Sequence, residues 1–430
     1  MRQFNKTSLH SYALSSYRFV FQLFFLLIFL LSWTALPAYA QDLPASQTQQ
    51  DSKGALLIIG GALRQDNATV WNKLVQSAGG KQSKIAIIPT ASGNPERAAN
   101  FALETIKHYG GNAYILPLST KYERQPQIIN RDSHWIEQID QATGVYFTGG
   151  DQGRITQALV NADGQASPLL NAIWRLYQRG GIIAGTSAGA AIMSSTMFHE
   201  ARDSLTMLKM GITDGKEIAP GLGFIGKDIF IDQHLIIRGR FARMLPAMQK
   251  KNYKFGIGVD ENTGLFIQNH QLEVIGYKGA VLLNLSAATT RTDIKEFNVN
   301  HAYISFLSYG DKLDLQSMQT LPSADKSIIH SPQSEDRDQH VPFYPNILGN
   351  TSVIELMSSL IESKHPTAKG LAMGDASSIK PELGFEFEFN KTKESKGYFS
   401  SQSGAESFTL LNIRMDVRPV KIKHPIYTVD

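Results

Sequence analysis

Residues 181–194 read GIIAGTSAGAAIMS, an apolar run followed by a glycine-rich turn and a second run of small and apolar residues. Positions 185–189 have the pattern G-x-S-x-G. The flanking residues predict a strand before the turn and a helix after it, the context in which a serine hydroxyl is exposed on a sharp bend. Helix-start amides would favour negative charge near Ser187. A plain turn with a capping serine is the alternative, and the strand–turn–helix context favours a nucleophile.

Four further apolar runs surround this segment, and a helix-like stretch lies between two of them at residues 96–109. The runs are continuous rather than alternating, which is typical of strands that are covered on both faces. Their alternation with helices predicts an α/β fold with a mostly parallel sheet between helices, whose ligands collect beyond the carboxyl ends of the strands. The runs occupy residues 55–59, 84–88, 113–117 and 144–147.

The pattern changes after about residue 255. Short strands with turn residues between them predict hairpins, and residues 302–307 predict another strand. Residues 319–350 are rich in Ser, Pro, Asp and His and read as a long loop. A helix at 353–363 and strands at 385–389 and 408–417 complete a small α+β extension. The expected organisation is a catalytic domain at 54–317 and a C-terminal extension at 318–430.

The N-terminus resembles an export signal. Residues 19–31 are apolar except for Gln22, and Ala38-x-Ala40 fits a signal-peptidase site. The run is short for a membrane span, so cleavage after Ala40 is favoured over an uncleaved anchor. We therefore expect a signal peptide at 1–40, a flexible leader at 41–53, and a secreted or periplasmic protein with no membrane association after cleavage.

Composition narrows the function classes. The 430 residues contain no cysteine, which excludes a disulfide framework, a zinc ribbon, an iron–sulfur cluster and a cysteine nucleophile. The formal charge is +4, and three of the basic residues lie in the expected signal peptide. The chain after residue 40 is therefore nearly neutral and has no large positive charge that would attract nucleic acid. No phosphate-loop pattern and no convincing metal spacing occur, so we expect neither a metal nor a cofactor.

A serine nucleophile needs a base. His234 follows the apolar run 228–232 and so lies at a strand end, as Ser187 does. His10 lies in the expected signal peptide, and His199 is set aside as part of the helix after the turn. For the acid that orients the imidazole, Asp203 is preferred and Glu200 is second.

Two further features suggest a substrate pocket. Arg238, Arg240 and Arg243 are closely spaced, and guanidinium groups suit carboxylates. The segment TGGDQ at 148–152 ends a predicted strand and frees backbone amides for an oxyanion, together with the amide of Ala188. A solvated helix face and a tight turn are the plainer interpretations of these two features.

Together these segments resemble the cyanophycinases of the dipeptidase E-like serine peptidase family. The matches are FTGGDQ (147–152), GTSAGAAIMS (185–194), APGLGF (219–224), DQHLIIRGR (232–240) and GIGVDENTG (256–264). The fourth segment departs from the family pattern, which has an aromatic residue after the histidine and polar residues before the arginine.

The resemblance implies a class I glutamine-amidotransferase-like sandwich without a cofactor, and a homodimer. It implies Ser187 as nucleophile, His234 as base, and Gly150 and Ala188 as oxyanion donors. It implies a substrate pocket lined by Gln152, Asp232, Gln233, Arg238, Arg240 and Arg243. The implied substrate is cyanophycin or another Asp-rich peptide, with Asp232, Asp260 and Glu261 as candidates to hold its guanidinium groups. An aspartyl dipeptidase, an exported esterase and a non-catalytic polymer-binding protein are the alternatives.

Overall fold

The first sheet of the computed structural model carries the strand–turn–helix segment. The structure describes residues 54–330, 342–402 and 406–429, so the expected signal peptide and leader lie outside the described residues. The strand order is β15-β14-β11-β10-β1-β5-β4-β2-β3, and the five strands from β1 to β3 in this order run parallel. The strands are β1 (Ala55–Ile59), β2 (Ile85–Ile88), β3 (Ala113–Ile115), β4 (Gly144–Phe147), β5 (Ile182–Thr186), β10 (Thr263–Gln268), β11 (Gln271–Gly276), β14 (Lys312–Asp314) and β15 (Thr320–Leu321).

Apolar side chains bury both faces of the parallel strands. Leu56 and Ile58 point into one core cluster, and Leu57 and Ile59 point into another. Each cluster also contains helix residues, as expected where βαβ crossovers place helices on both faces. The expected α/β class is therefore confirmed. The helices along this part of the chain are α1 (Ala68–Ser77), α2 (Pro95–His108), α3 (Pro126–Ile129), α4 (Ser133–Asp140), α5 (Gln152–Leu159), α6 (Pro168–Gln178), α7 (Ala188–Ala191), α8 (Ser204–Met210) and α9 (Phe241–Lys251).

A second sheet contains residues 255–259, so the expected hairpin between this strand and 264–267 is wrong, whereas β10 and β11 form the other expected hairpin within the first sheet. Its order is β17-β18-β19-β21-β13-β12-β9-β8, with β20 on β21 and β16 on β20. Most pairs are antiparallel, but the pairs β8–β9 and β17–β18 are parallel. The strands are β8 (Ile229–Gln233), β9 (Phe255–Val259), β12 (Ala280–Asn284), β13 (Val299–Leu307), β16 (Ser327–Ile328), β17 (Phe343–Tyr344), β18 (Thr367–Ala372), β19 (Leu383–Asn390), β20 (Lys396–Ser400) and β21 (Ser407–Lys421); β6 (Thr196–Phe198) and β7 (Ile218–Pro220) form a separate pair.

The C-terminal extension joins this second sheet. Strand β21 pairs with β13 across the expected boundary at residue 317, and helix α10 (Ser352–Glu362) contributes Leu356 and Leu360 to the same apolar cluster as Phe241. The helix and the two late strands predicted in this region are confirmed. The boundary at 317 stays a prediction, since strands on its two sides share one sheet.

Candidate active site

The predicted bend is present at Ser187. The residue follows β5 with a φ of +54°, a conformation that L-residues rarely adopt, and it precedes α7. Its neighbours are small because the backbone passes close to itself: a Cβ on Gly185 would overlap the Gly189 carbonyl, and a Cβ on Gly189 would lie 2.6 Å from the Phe147 carbonyl oxygen. The amide of Ser187 donates to the Ile59 carbonyl. The half-buried serine is thus held in a strained backbone geometry at the bend.

The imidazole of His234 faces this serine. Ser187 Oγ lies 2.9 Å from His234 Nε2, within proton-transfer distance. His234 follows β8 with a φ of +50°, and its amide donates to the Gly60 carbonyl. The ring packs directly on Gly61, where any Cβ would overlap it. The carboxyl end of β5 in the first sheet and the end of β8 in the second sheet therefore lie close together, and this brings the Ser187 hydroxyl into contact with the His234 imidazole.

The carboxylate on the other imidazole nitrogen belongs to Glu261. Its Oε1 lies 2.6 Å from His234 Nδ1, and both side chains are largely buried. The expectation that Asp203 or Glu200 orients the imidazole is wrong in this structure. Asp203 is exposed and caps α8 by accepting from the Thr206 amide, and Glu200 is exposed. Glu261 follows β9, the parallel neighbour of β8, and this places its side chain beside His234.

Burial and the nearby arginines lower the pKa of His234. Burial has the largest effect, the positive charges of Arg238 and Arg240 act in the same direction, and the hydrogen bond that the imidazole donates to Glu261 opposes them. The imidazole is consequently neutral at neutral pH, with the lone pair that a general base requires. Glu261 selects the tautomer that has its proton on Nδ1 and the lone pair towards Ser187.

The three arginines have different environments. Arg238 is half exposed, and its guanidinium lies 3.9 Å from Glu261 Oε1. Arg243 makes a bidentate pair with Asp232, with N–O distances of 2.8 and 2.7 Å, and its guanidinium lies 4.1 Å from the Phe198 ring centroid. Arg240 donates to the backbone and side-chain oxygens of Gln233. Burial, together with the charge of Arg243, lowers the pKa of Arg240 to about 10, so it remains cationic at neutral pH.

Asp232 and Asp260 do not line the pocket, contrary to the sequence interpretation. They are 1% and 2% exposed, respectively. Asp232 is committed to Arg243, and Asp260 accepts from the Ile237 amide at 3.3 Å. Glu261 holds the base. The three acids expected to bind substrate guanidinium groups therefore contact residues of the protein instead: Asp232 binds Arg243, Asp260 binds the Ile237 amide and Glu261 binds His234.

A cavity of about 130 Å³ opens beside the serine. Among the described residues that line it, three are arginines and none is acidic. The side-chain amide of Gln152 donates a hydrogen bond to the Phe198 carbonyl, which fixes the position of this side chain. His199, which the sequence interpretation set aside, follows β6 rather than lying on a helix, because α7 ends at Ala191. The lining comprises Gly150, Gln152, Ser187, Phe198, His199, Ala201, Gln233, His234, Arg238, Arg240 and Arg243.

A second cavity of about 430 Å³ lies against the same pair, since Ser187 and His234 line both cavities. Its walls are more apolar and include Leu63, Phe101 and Tyr146. The serine and histidine are therefore positioned between a small cationic pocket and a larger apolar one. A peptide substrate can extend to both sides of the nucleophile.

The expected oxyanion residues are adjacent to the serine. Gly150 has a φ of +142°, and a Cβ there would overlap the Ala91 carbonyl, so only glycine fits. Ala188 is the first residue of α7. Among the described residues, neither backbone amide donates a hydrogen bond. Both N–H groups are thus free to stabilise a negative oxygen.

Known proteins resemble this chain over about two thirds of its length. A protein named cyanophycinase from Trichormus variabilis is 29% identical over 288 residues, 64% of this chain and 91% of that protein. Another cyanophycinase, from Geminocystis herdmanii, is 27% identical over 64% of this chain and 98% of its own length. A crystal structure of a peptidase from an acI-B1 Actinobacterium matches 62% of this chain with 20% identity and a TM-score of 0.44.

The family model for peptidase family S51 matches residues 56–275. This span covers half of the chain and runs from β1 to β11, so it includes Ser187, His234 and Glu261. The resemblance predicted from the sequence is confirmed. The chain belongs to peptidase family S51 and is a serine-type peptidase.

Proposed function

We propose that this peptidase is exported and hydrolyses cyanophycin, a poly-aspartate with arginine on each β-carboxyl, to β-Asp-Arg dipeptides. The observation that carries the proposal is the chain of hydrogen bonds Ser187–His234–Glu261 beside an arginine-lined pocket. Two relatives that are named cyanophycinase support the substrate. The signal-like residues 1–40 support export, and the expected homodimer stays a prediction.

The proposed reaction proceeds through an acyl-enzyme. Ser187 Oγ attacks a backbone carbonyl of the aspartate chain while its proton passes to His234 Nε2. The carbonyl oxygen becomes an oxyanion, which the amides of Gly150 and Ala188 stabilise, each worth about 3 kcal/mol. The imidazolium, held by the Glu261 carboxylate, then donates its proton to the leaving nitrogen as the C–N bond breaks. Water, deprotonated by His234, hydrolyses the ester and restores the serine.

The charges of the site support a substrate that carries free carboxylates. Arg238 and Arg240 line a pocket whose described lining contains no carboxylate, so free carboxylates of the substrate have cationic partners there. Arg238 is half exposed, which gives it the freedom to follow a flexible polymer. The apolar cavity beside Leu63 and Phe101 can take the methylene stems of the arginyl groups on the other side of Ser187.

The test is incubation of the purified protein with cyanophycin granules, with β-Asp-Arg measured by mass spectrometry. Ser187→Ala should abolish release. Ser195→Ala is the matched control, because the Ser195 hydroxyl donates to the Gly226 carbonyl instead of His234. Release by Ser187→Ala would refute the nucleophile. Cleavage of Asp-X dipeptides without cleavage of the polymer would instead support the alternative aspartyl dipeptidase, and binding of granules without release a non-catalytic polymer-binding protein.

A further inference from the structure

Residues 235–240 connect the base to α9 and carry two of the pocket arginines. Leu235, Ile236 and Gly239 are buried, and the segment turns through hydrogen bonds from the Arg240 amide to the Leu235 carbonyl and from the Gly239 amide to the Ile236 carbonyl. The positions of Arg238 and Arg240 thus depend on whatever packs against these buried residues.

The C-terminal extension packs against this segment. Gly239 has a φ of +55°, and a Cβ on it would overlap the main-chain carbonyl of Leu348. Leu235 and Ile236 belong to the same apolar cluster as Ile347, which is fully buried. The close approach of two backbones permits little independent movement of either.

Further contacts tie the extension to the neighbouring helix α8. The buried Lys209 ammonium donates to the carbonyls of Ile379 and Lys380, and Lys380 Nζ donates back to the Lys209 carbonyl. At the other end of α8, the Ser204 hydroxyl donates to the Gly239 carbonyl. The extension therefore reaches the arginine segment directly through Leu348 and indirectly through α8.

We infer that the C-terminal extension is a positioning element of the active site, which holds residues 235–240 so that Arg238 and Arg240 face the substrate. Ile347 is the positioning residue that places Leu348 against Gly239, and it acts on substrate affinity through the arginines rather than on Ser187. The inference rests on the proposed function for the polymer used as substrate.

The test is a double-mutant cycle between Ile347→Ala and Arg240→Ala, with KM and kcat measured on soluble cyanophycin. Ile347→Ala should raise KM roughly tenfold while kcat changes less than about twofold, because misplaced arginines weaken binding and leave the catalytic pair intact. In the Arg240→Ala background, Ile347→Ala should add little to KM. Ile347→Val, which removes one methylene, should give a smaller effect in the same direction and keeps the test valid if the alanine variant does not fold.

Phe399→Ala is the matched control, since it also removes a side chain within the extension but its ring packs on Phe408. It should lower the melting temperature without raising KM. An unchanged KM in both Ile347 variants would overturn the inference. So would a rise in KM that persists in full without the Arg240 guanidinium, since a general loss of stability would act in that way.

A binding measurement separates this inference from the proposed substrate. Calorimetric titration of N-acetyl-aspartyl-aspartate into the Ser187→Ala protein requires no hydrolysis. If the wild type does not cleave cyanophycin, the proposed substrate is wrong, and weaker dipeptide binding by Ile347→Ala still supports the positioning role. The two proteins compared are Ser187→Ala and Ser187→Ala with Ile347→Ala. Equal dipeptide binding by these two proteins, or no binding by either, overturns the positioning role.

Discussion

Glu261→Gln tests the acid that the structure assigns to His234. The substitution keeps the size of the side chain and removes its charge. The carboxylate accepts from His234 Nδ1 at 2.6 Å in a largely buried site. A glutamine can turn its NH₂ group towards Nδ1, which would place the imidazole proton on Nε2 and leave no lone pair for the serine.

The cost follows from the charge that develops on the imidazole. With the two charge centres about 4 Å apart and an effective dielectric constant of about 20, the carboxylate stabilises the imidazolium by roughly 4 kcal/mol. Loss of this energy from the transition state corresponds to a decrease of about 10³-fold in kcat/KM. Because the Glu261 hydrogen bond raises the pKa of His234, its removal should also move the acid limb of the pH profile to lower pH.

The assay is the pH dependence of kcat/KM on soluble cyanophycin. Asp203→Asn and Glu200→Gln are the controls, since both change the acids expected from the sequence, and both side chains are exposed. These two variants should retain wild-type kcat/KM. Activity of Glu261→Gln within tenfold of the wild type, or a large loss in Asp203→Asn, would refute the assignment of Glu261.

Four other outcomes are expected. The kcat/KM of the wild type should fall as the pH decreases through the His234 pKa, which lies below the usual value of about 6.5. Arg238→Met removes a positive charge that lowers this pKa, so in a pH–rate profile the acid limb of the variant should lie at higher pH than that of the wild type. Asp203→Ala should cost about 1 kcal/mol of unfolding free energy by removing the cap of α8; urea denaturation measures this, and a lower kcat would contradict the purely structural role. Arg243→Met should cost about 3–5 kcal/mol in the same experiment, because it leaves the buried Asp232 carboxylate unpaired; a stability equal to that of the wild type would show that this pair does not support the pocket.

Parts of the site that depend on local sequence could be predicted. A tight bend between a strand and a helix needs small residues at fixed positions, so Gly185 and Gly189 indicated Ser187 without knowledge of the rest of the fold. His234 could be placed at a strand end because it also ends an apolar run, but the structure places that strand, β8, in the second sheet. The continuous apolar strands predicted burial on both faces, as the two core clusters show.

The acid could not be found in this way. Asp203 and Glu200 lie between Ser187 and His234 in the chain, whereas Glu261 lies 27 residues beyond His234. Glu261 belongs to the matched segment at 256–264, but the sequence suggested that it holds a substrate guanidinium group, and the hairpin interpretation of β9 concealed its parallel pairing with β8. The role of Asp232 was missed for a similar reason, since its partner Arg243 lies on α9 and becomes adjacent only when that helix packs against β8.

The amino-acid sequence by itself determined the α/β class, the bend at Ser187 and the position of His234 at a strand end, since these depend on local periodicity and on the steric needs of a single turn. Only the tertiary structure decided which carboxylate orients His234, which acids are buried behind the arginines, and what the C-terminal extension contacts. The physical reason is that hydrogen bonds and ion pairs form between neighbours in space. Strand order and register determine those neighbours, and a single sequence does not contain that information in its local pattern.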